Sequence, residues 1–392
     1  MDIIAQDLAM QAFAAARSAM PSAFGLPRAP EHLLRWKKAI GRMRTAEGYR
    51  PLVAMVGDSK TAGVGTDPNA QFRAATSLPT RLAQILTARG LPAIAESMWG
   101  SAGTSAIPAS LYDPRRSGFS GWSLYGGVSG DGGIGGELSL TTGTSAGIFT
   151  PSIPVDRVRL FYKQGEGGIA TASATVTVDA DATVRATLPG SASPSYTRSP
   201  AVDLGALASH AIKVNPAGTA PFYLAGMLAW NSAAPAIDIA NIAAAGVKAS
   251  WQTTSARLKW LEALAPDLTI INIGSNDMLS TGATDIAAFT ASVQATITRA
   301  KLSGDVMLLF PAIGRDTGSA VTQVLVSDAQ RAPFRTALAA LAASNGCAFV
   351  DEQALFGGRD MAQSAGLFAD SLHENGSGTV MRADNLATLM MS

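Results

Sequence analysis

The chain has 392 residues, a length typical of two or three domains with ample capacity to bury a core. Its 30 Lys and Arg residues nearly balance its 29 Asp and Glu residues, so the charge does not favour binding to nucleic acid or to an acidic membrane surface. The single cysteine, Cys347, excludes an intrachain disulfide and a cysteine-rich metal site.

The first residues do not resemble an export signal. Residues 1–7 lack the basic segment and the uninterrupted apolar segment of a secretion signal, and no 18-residue apolar run occurs later. We therefore expect a soluble protein without a Sec signal or a membrane span, located in the cytoplasm or on a virion.

Residues 1–50 are predicted to form a helical segment. Residues 1–20 are rich in Ala, Met and Leu, and residues 30–46 carry apolar side chains at helical spacing. These apolar side chains are Leu33, Trp36, Ile40 and Met43. The basic face of this second helix indicates either a solvated surface or a docking site for a partner chain.

A strand, a loop and a helix follow this segment. Residues 52–56 form a short apolar run that ends at Gly57, and residues 78–88 carry a helical pattern that is closed by Arg89 and Gly90. The sequence places these elements in the first part of an α/β domain, over residues 51–105.

The character of the sequence changes between residues 106 and 240. This region is rich in Gly, Ser and Thr and contains period-two stretches such as 175–178. The pattern predicts an inserted all-β domain of the β-sandwich or jelly-roll kind. Its candidate strands are 155–162, 174–179, 210–214 and 221–230.

Helices and apolar strands alternate again over residues 241–392. The predicted elements are a helix at 251–264, strands at 268–273 and 306–310, a helix at 329–343 and a strand at 347–350. Together with 52–56, they favour one open parallel sheet with helices on its faces. The ligand crevice of such a sheet lies beyond the carboxyl ends of its strands.

Three polar clusters carry the chemistry that we expect in this crevice. They are Gly57-Asp58-Ser59, Gly274-Ser275-Asn276-Asp277 and Asp370-Ser371-Leu372-His373. A serine nucleophile needs a base, the base needs an orienting acceptor, and a tetrahedral intermediate needs donors aimed at its oxyanion. In that order, the side chains that supply these functions are Ser59, His373, Asp370 and Asn276.

Each cluster also has a purely structural interpretation. Asp58 and Ser59 could cap a helix, Asn276 could end a strand as a turn, and His373 could be a surface histidine in a helix-capping loop. Metal catalysis is not expected, because the three histidines, at 32, 210 and 373, lie in separate segments. No cofactor is expected either.

The three clusters, in this order and with Gly378 shortly after His373, resemble the SGNH (GDSL-like) hydrolase superfamily. The resemblance covers about residues 51–392. It implies a flavodoxin-like α/β/α sandwich in which Ser59 attacks an ester, His373 acts as general base and then acid, and Asp370 orients the imidazole. It also implies three oxyanion donors: the Ser59 backbone N–H, the Asn276 side-chain amide and a backbone N–H from a glycine-bearing second block.

Two segments compete for this second block. Gly100 begins a Gly-Ser-Ala-Gly run after the first predicted hydrolase helix, whereas residues 241–246 match the family's Asn-x-Gly-x-x-Gly except that Ala243 replaces the first Gly. A backbone N–H donates equally from Ala and from Gly, and the spacing to Asn276 leaves room for one helix and one strand. We therefore favour Ala243 as the third donor, with Gly100 as the alternative.

The layout also resembles bacterial and phage O-acetylesterases of polysaccharides and peptidoglycan, in which a β-sandwich is inserted. The resemblance implies hydrolysis of small acyl esters, chiefly acetyl esters on a polysaccharide, through an acyl-enzyme. The alternatives are a lipid esterase or thioesterase, and a phage or surface glycan-binding protein with a secondary or silent hydrolase site. Aromatic residues of the insert could stack on sugar rings or fill its core: Trp122, Tyr125, Tyr162, Tyr196, Tyr223 and Trp230.

Overall fold

A computed structural model describes residues 30–45, 48–67, 74–99, 112–125, 137–140, 145–165, 169–279, 283–314 and 327–392. The predicted helix at 1–20 and the candidate block that begins at Gly100 lie outside these residues. Within the described part of the chain, no helix is both long enough and apolar enough to cross a membrane.

Strands and helices alternate at both ends of the described chain and enclose a long run of strands. The strands are β1 (Leu52–Gly57), β2 (Ala93–Ile94), β3 (Ser97–Trp99), β4 (Arg116–Ser117), β5 (Trp122–Tyr125), β6 (Glu137–Leu140), β7 (Gly147–Phe149), β8 (Val155–Gln164), β9 (Ala174–Val178), β10 (Asp181–Leu188), β11 (Ser195–Arg198), β12 (Val202–Ala208), β13 (Ile212–Pro216), β14 (Phe222–Trp230), β15 (Ile237–Asn241), β16 (Leu268–Asn272), β17 (Asp305–Phe310) and β18 (Ala348–Asp351). The α-helices are α1 (Leu34–Arg44), α2 (Ser59–Ala62), α3 (Leu78–Ala88), α4 (Ser255–Leu264), α5 (Ile286–Ala300), α6 (Asp328–Asn345), α7 (Glu352–Leu355), α8 (Arg359–Ser364) and α9 (Gly376–Met391), with short 3-10 turns at Pro30–His32, Ala74–Thr76 and Ala249–Thr253.

Six parallel strands form the central sheet, in the order β2-β15-β1-β16-β17-β18. The chain moves outward from β1 in both directions, because β15 pairs with one side of β1 and β16 with the other. The carboxyl ends of these three strands therefore meet at a topological switch point, where open α/β sheets bind their ligands.

Helices cover both faces of this sheet. Alternate residues of β1 point to opposite faces, so Ala54 and Val56 pack with α4, α5 and α6, whereas Val53 and Met55 pack with α1, α3 and α9. The result is a three-layer α/β/α sandwich, which confirms the fold that the sequence predicts for the hydrolase part.

Helix α1 is part of this sandwich. Its apolar stripe is buried against the sheet, and Trp36 donates a hydrogen bond from Nε1 to the Met390 carbonyl oxygen of α9 at 2.9 Å. The predicted helix at 30–46 is therefore confirmed, and its apolar face packs within the chain.

Two antiparallel sheets form the inserted domain, and its core lies between them. One sheet runs β10-β9-β13-β7-β4 and the other β11-β8-β14-β6-β5, with β12 paired to β8 and β3 paired to β14. Apolar side chains from β8 and β14 pack with those of β9 and β13 in one core. The predicted all-β insert is confirmed as a β-sandwich.

The strands place the limits of the insert earlier than residues 106 and 240. Strand β3 already pairs with β14 of the sandwich, and β15 already belongs to the parallel sheet. The sequence prediction missed β3 because it is only three residues long. It assigned 237–240 to the insert because the polar Asp238 interrupts the apolar run.

One predicted helix is split. Residues 249–253 form a 3-10 turn, and α4 begins only at Ser255, because Thr254 has the extended backbone of a residue that precedes a helix.

Candidate active site

The turn that follows β1 sets the position of Ser59. Asp58 caps α2 by accepting a hydrogen bond from the Lys60 backbone N–H at 3.0 Å, so Ser59 becomes the first residue of the helix. At Gly57, a Cβ atom would lie 2.3 Å from Thr61 Oγ1 and 2.9 Å from the Asn272 carbonyl oxygen. Only glycine fits between α2 and β16 at this point.

Ser59, His373 and Asp370 form a continuous chain of hydrogen bonds. Ser59 Oγ lies 2.9 Å from His373 Nε2, and His373 Nδ1 lies 2.8 Å from Asp370 Oδ2. A carboxylate can only accept, so the imidazole carries its proton on Nδ1, and Nε2 is left to accept from the serine hydroxyl. The structure thus brings Ser59 to two residues that lie more than 300 positions later in the sequence.

The Asp370 carboxylate is held in its ionised form. Burial alone would raise its pKa, but the hydrogen bond and the charge of His373, and the backbone N–H groups of Leu372 and His373, lower the pKa to about 2. These two N–H groups donate to Oδ1 at 2.7 and 2.6 Å. Asp370 is therefore an anion with a fixed orientation, which suits a group that orients an imidazole.

Asn276 lies in the loop that follows β16, the strand that pairs with β1. Its Nδ2 donates to the Val247 carbonyl oxygen at 2.9 Å, which fixes the amide and leaves the second N–H hydrogen for another acceptor. Asp277 supports the same loop, because its Oδ2 accepts a hydrogen bond from the Ala249 backbone N–H at 2.9 Å.

The segment after β15 contains the Ala243 amide that the sequence favours as third donor. This amide already donates to Asn241 Oδ1 at 3.2 Å, and the next one, Ala244, donates to the Gly57 carbonyl oxygen at 3.1 Å. Gly246 ends the segment with φ of +78° and is exposed, and its N–H has no acceptor among the described residues.

Two further residues join the elements of the site, and the sequence analysis gave neither a role. Tyr112 donates from Oη to the Ala62 carbonyl oxygen at 2.9 Å and accepts from Asn241 Nδ2 at 3.2 Å, so it connects α2 with the end of β15. Lys60, directly after Ser59 in the sequence, is buried. No sequence signal marks Tyr112, but a lysine directly after Ser59, in the turn that follows a buried strand, is unusual enough to draw attention to Lys60.

The comparisons with known proteins bear on the family and the fold. The model of the GDSL-like lipase/acylhydrolase family matches residues 195–379, a range that contains Asn276, Asp370 and His373 but not Ser59. No curated protein matches the sequence.

Several solved structures are similar. A peptidoglycan O-acetylesterase has a TM-score of 0.66 at 16% identity, covering 90% of this chain and 94% of its own. A protein from Bacillus subtilis has a TM-score of 0.33 at 15% identity, covering 74% of this chain and 95% of its own. A lipase/acylhydrolase from Enterococcus faecalis has a TM-score of 0.33 at 16% identity, covering 39% of this chain and 75% of its own.

The family match supports an acyl-ester hydrolase, and the similarity to the O-acetylesterase structure, at this low identity, shows a shared fold. The chain therefore has the fold of an SGNH (GDSL-like) hydrolase and, in that fold, resembles a peptidoglycan O-acetylesterase.

Proposed function

We propose that this protein is a serine esterase that removes small acyl groups, acetyl above all, from a polysaccharide by a metal-free acyl-enzyme mechanism. The observation that carries the proposal is the hydrogen-bond chain from Ser59 Oγ through His373 to the Asp370 carboxylate, at 2.9 and 2.8 Å. A hydroxyl becomes a nucleophile when a base this close accepts its proton.

The acylation step begins when Ser59 Oγ attacks the ester carbonyl carbon and its proton moves to His373 Nε2. The tetrahedral intermediate carries the negative charge on the former carbonyl oxygen. His373 then gives the proton to the leaving sugar oxygen as the C–O bond breaks, and the acyl group remains on Ser59. Asp370 stabilises the imidazolium that forms between these two transfers.

The deacylation step repeats this sequence with water. His373 accepts a proton from water, the resulting nucleophile attacks the acyl carbon, and the proton returns to Ser59 Oγ as the second intermediate collapses. The products are the carboxylic acid and the free enzyme.

Three donors are proposed for the oxyanion in both steps. The Ser59 N–H stands at the first position of α2, where a helix leaves backbone donors without intrahelical partners, and Asn276 Nδ2 has one hydrogen atom to spare. For the third donor we propose Gly246 in place of Ala243, because the Ala243 amide is already engaged by Asn241.

The glycan substrate is proposed from the whole-chain likeness. The peptidoglycan O-acetylesterase structure covers 90% of this chain, which includes most of the β-sandwich as well as the hydrolase sheet. Within the insert, Tyr162, Tyr223 and Trp230 are buried, and Tyr162 packs in the core between the two sheets. Trp122 and Tyr196 are only half-buried and could contact sugar.

The experiment that tests the proposal measures acetate release from 4-nitrophenyl acetate and from O-acetylated peptidoglycan and polysaccharides, with chelator present throughout. We expect the wild-type protein and Ser292→Ala, a change on α5 far from the site, to release acetate, and Ser59→Ala to release none above background. Turnover of long-chain esters alone would indicate a lipid esterase or thioesterase. Glycan binding without turnover of any ester would indicate a binding protein with a silent site.

A further inference from the structure

The lysine next to the nucleophile is fully buried. Lys60 follows Ser59 in α2, and its side chain has 0% exposure. Removing an ammonium group from water is costly unless other groups replace its hydration. Lys60 Nζ does find such groups: it donates to the carbonyl oxygens of Ala312 and Leu372, at 2.7 Å each, and lies 2.7 Å from Glu374 Oε1.

Two of these three partners flank the proposed general base. Leu372 precedes His373 and Glu374 follows it, so the Lys60 ammonium contacts the chain on both sides of the histidine. The third partner, Ala312, lies just beyond the end of β17 and anchors the ammonium to the sheet. One side chain thus joins the helix that carries Ser59 to the loop that carries His373.

Arg382 holds Glu374 in place and is itself held by Glu352. Arg382 of α9 lies 3.3 Å from Glu374 Oε2 through Nη1 and donates from Nε to Glu352 Oε1 of α7 at 2.9 Å. All four side chains are at most 3% exposed, and their two positive and two negative charges balance. The contact of Lys60 with the histidine loop is therefore part of a network that α7 and α9 support.

We propose that Lys60 is a positioning residue, whose ammonium holds the loop of His373 against α2 so that Nε2 stays within hydrogen-bond reach of Ser59 Oγ. The catalytic consequence rests on the esterase function proposed above. A misplacement of about 1 Å at a reacting centre can reduce the rate about 100-fold, so the loss of this contact affects kcat more than it affects substrate binding.

The first test is Lys60→Met, which keeps the length of the side chain and removes the ammonium. With 4-nitrophenyl acetate, we expect kcat to fall about 100-fold and KM to change less than about threefold. The matched control is Lys163→Met, because Lys163 is another buried lysine but lies on β8 of the sandwich. We expect this control to lower the melting temperature and to leave kcat unchanged.

A second variant separates positioning from stability. Lys60→Met removes one of the two positive charges beside the buried Glu374 carboxylate, so the protein could be too unstable to study. The double variant Lys60→Met/Glu374→Gln restores the charge balance, while the carbonyl oxygens of Leu372 and Ala312 still lack their donor. We expect its melting temperature to recover towards that of the wild type and its kcat to stay low; recovery of kcat to the wild-type value would overturn the proposal.

The last readout does not depend on activity. The proton between His373 Nδ1 and Asp370 gives a downfield proton NMR signal. His210 Nδ1 makes a similar contact with Asp179 Oδ2 at 2.8 Å, so the His373 signal is assigned as the one that His210→Gln retains. We expect Ser59→Ala to show this signal and Ser59→Ala/Lys60→Met to lose or shift it. An unchanged signal, together with kcat within threefold of wild type, would refute the positioning role. Loss of the signal in a protein without esterase activity would support the positioning role and refute the proposed function instead.

Discussion

At the scale of single residues, the orientation of His373 towards Ser59 depends on the direction of each hydrogen bond around it. Asp370 accepts from two backbone N–H groups through Oδ1, which leaves Oδ2 for His373 Nδ1. This arrangement orients the free lone pair of Nε2 towards Ser59 Oγ. A serine, a histidine and an aspartate alone would not hold this orientation; the backbone N–H groups that fix the Asp370 carboxylate are also needed.

Asn276 is predicted to act in the transition state and not in the binding of substrate. Its free N–H hydrogen can stabilise charge only when the oxyanion forms, so Asn276→Ala should lower kcat about 10²–10³-fold with little change in KM. Steady-state kinetics with 4-nitrophenyl acetate measure this effect. The side chain also donates to Val247, so a circular dichroism melt should show that the variant is folded. Wild-type kcat in a folded Asn276→Ala protein would exclude the amide from the oxyanion site.

The low pKa of Asp370 predicts how stability depends on pH. The carboxyl has a pKa of about 2 in the folded protein, below its ordinary value of 3.8, so the folded state binds its proton more weakly than the unfolded state does. The resulting stabilisation is complete above about pH 4 and disappears as the pH falls through about 2.

Urea unfolding of the wild type and of Asp370→Asn tests this prediction. The difference in the free energy of unfolding between the two proteins should shrink as the pH falls from about 5 towards 2. A difference that stays constant over this whole range would show that the carboxylate does not have the lowered pKa.

At the scale of elements, the site depends on the close approach of two backbone segments. Gly65, just beyond α2, has φ of +84°, and a Cβ atom there would lie 2.9 Å from both His373 Cβ and the Glu374 carbonyl oxygen. A side chain at this position would push the histidine loop away from α2.

Gly218 offers a matched control, because its φ is also +84° but a Cβ atom there would meet nothing within 4 Å. Gly218→Ala should lower the free energy of unfolding by about 1–2 kcal/mol, the cost of a left-handed backbone for alanine, and leave kcat unchanged. Gly65→Ala should lower the free energy of unfolding by more than Gly218→Ala does, and it should also lower kcat by about 10-fold or more. Equal kcat values for the two variants would show that the loop adapts without moving His373.

The sequence predicts elements well where local patterns determine them. The bounds of α3 agree with the predicted helix at 78–88, because an apolar stripe and Ser77 before it mark the start, and Gly90 marks the end. The buried strands β1, β16 and β17 agree within one or two residues, since each is a continuous apolar run.

The remaining features depend on contacts between distant segments. The engagement of the Ala243 amide by Asn241 and the contact between Lys60 and the chain around His373 follow from the tertiary fold and leave no periodic signal. The same holds for β3, whose three residues are a strand only because β14 lies beside them. Sequence patterns could name the candidate catalytic residues, but not the groups that hold them in place.

At the scale of the whole molecule, α1 belongs to the hydrolase body. Trp36 is fully buried between the sheet and α9, so Trp36→Ala should lower the free energy of unfolding by about 3–5 kcal/mol. Leu34 on the same helix is 68% exposed, and Leu34→Ala should change the free energy of unfolding by less than about 0.5 kcal/mol. Urea unfolding measures both, and equal small effects would show that α1 does not pack on the sheet in solution.

The β-sandwich and the parallel sheet also share a core. Trp99 and Phe161 of the sandwich pack in the same apolar cluster as Trp260 of α4, and Arg198 donates to the Leu264 carbonyl oxygen at 3.1 Å. The insert is therefore seated on the hydrolase body, and a glycan bound by the insert would be held in a fixed position relative to that body.

The central claim is that Ser59 is a nucleophile activated by His373, and covalent trapping tests it most directly. The protein is incubated with an organophosphonate that reacts with activated serines, and the adduct is located by intact mass and peptide mapping. The account predicts one adduct per chain, on Ser59, that is absent in Ser59→Ala and forms at least about 100-fold more slowly in His373→Ala. An adduct on another residue, or hydrolysis of esters by a Ser59→Ala protein, would contradict it.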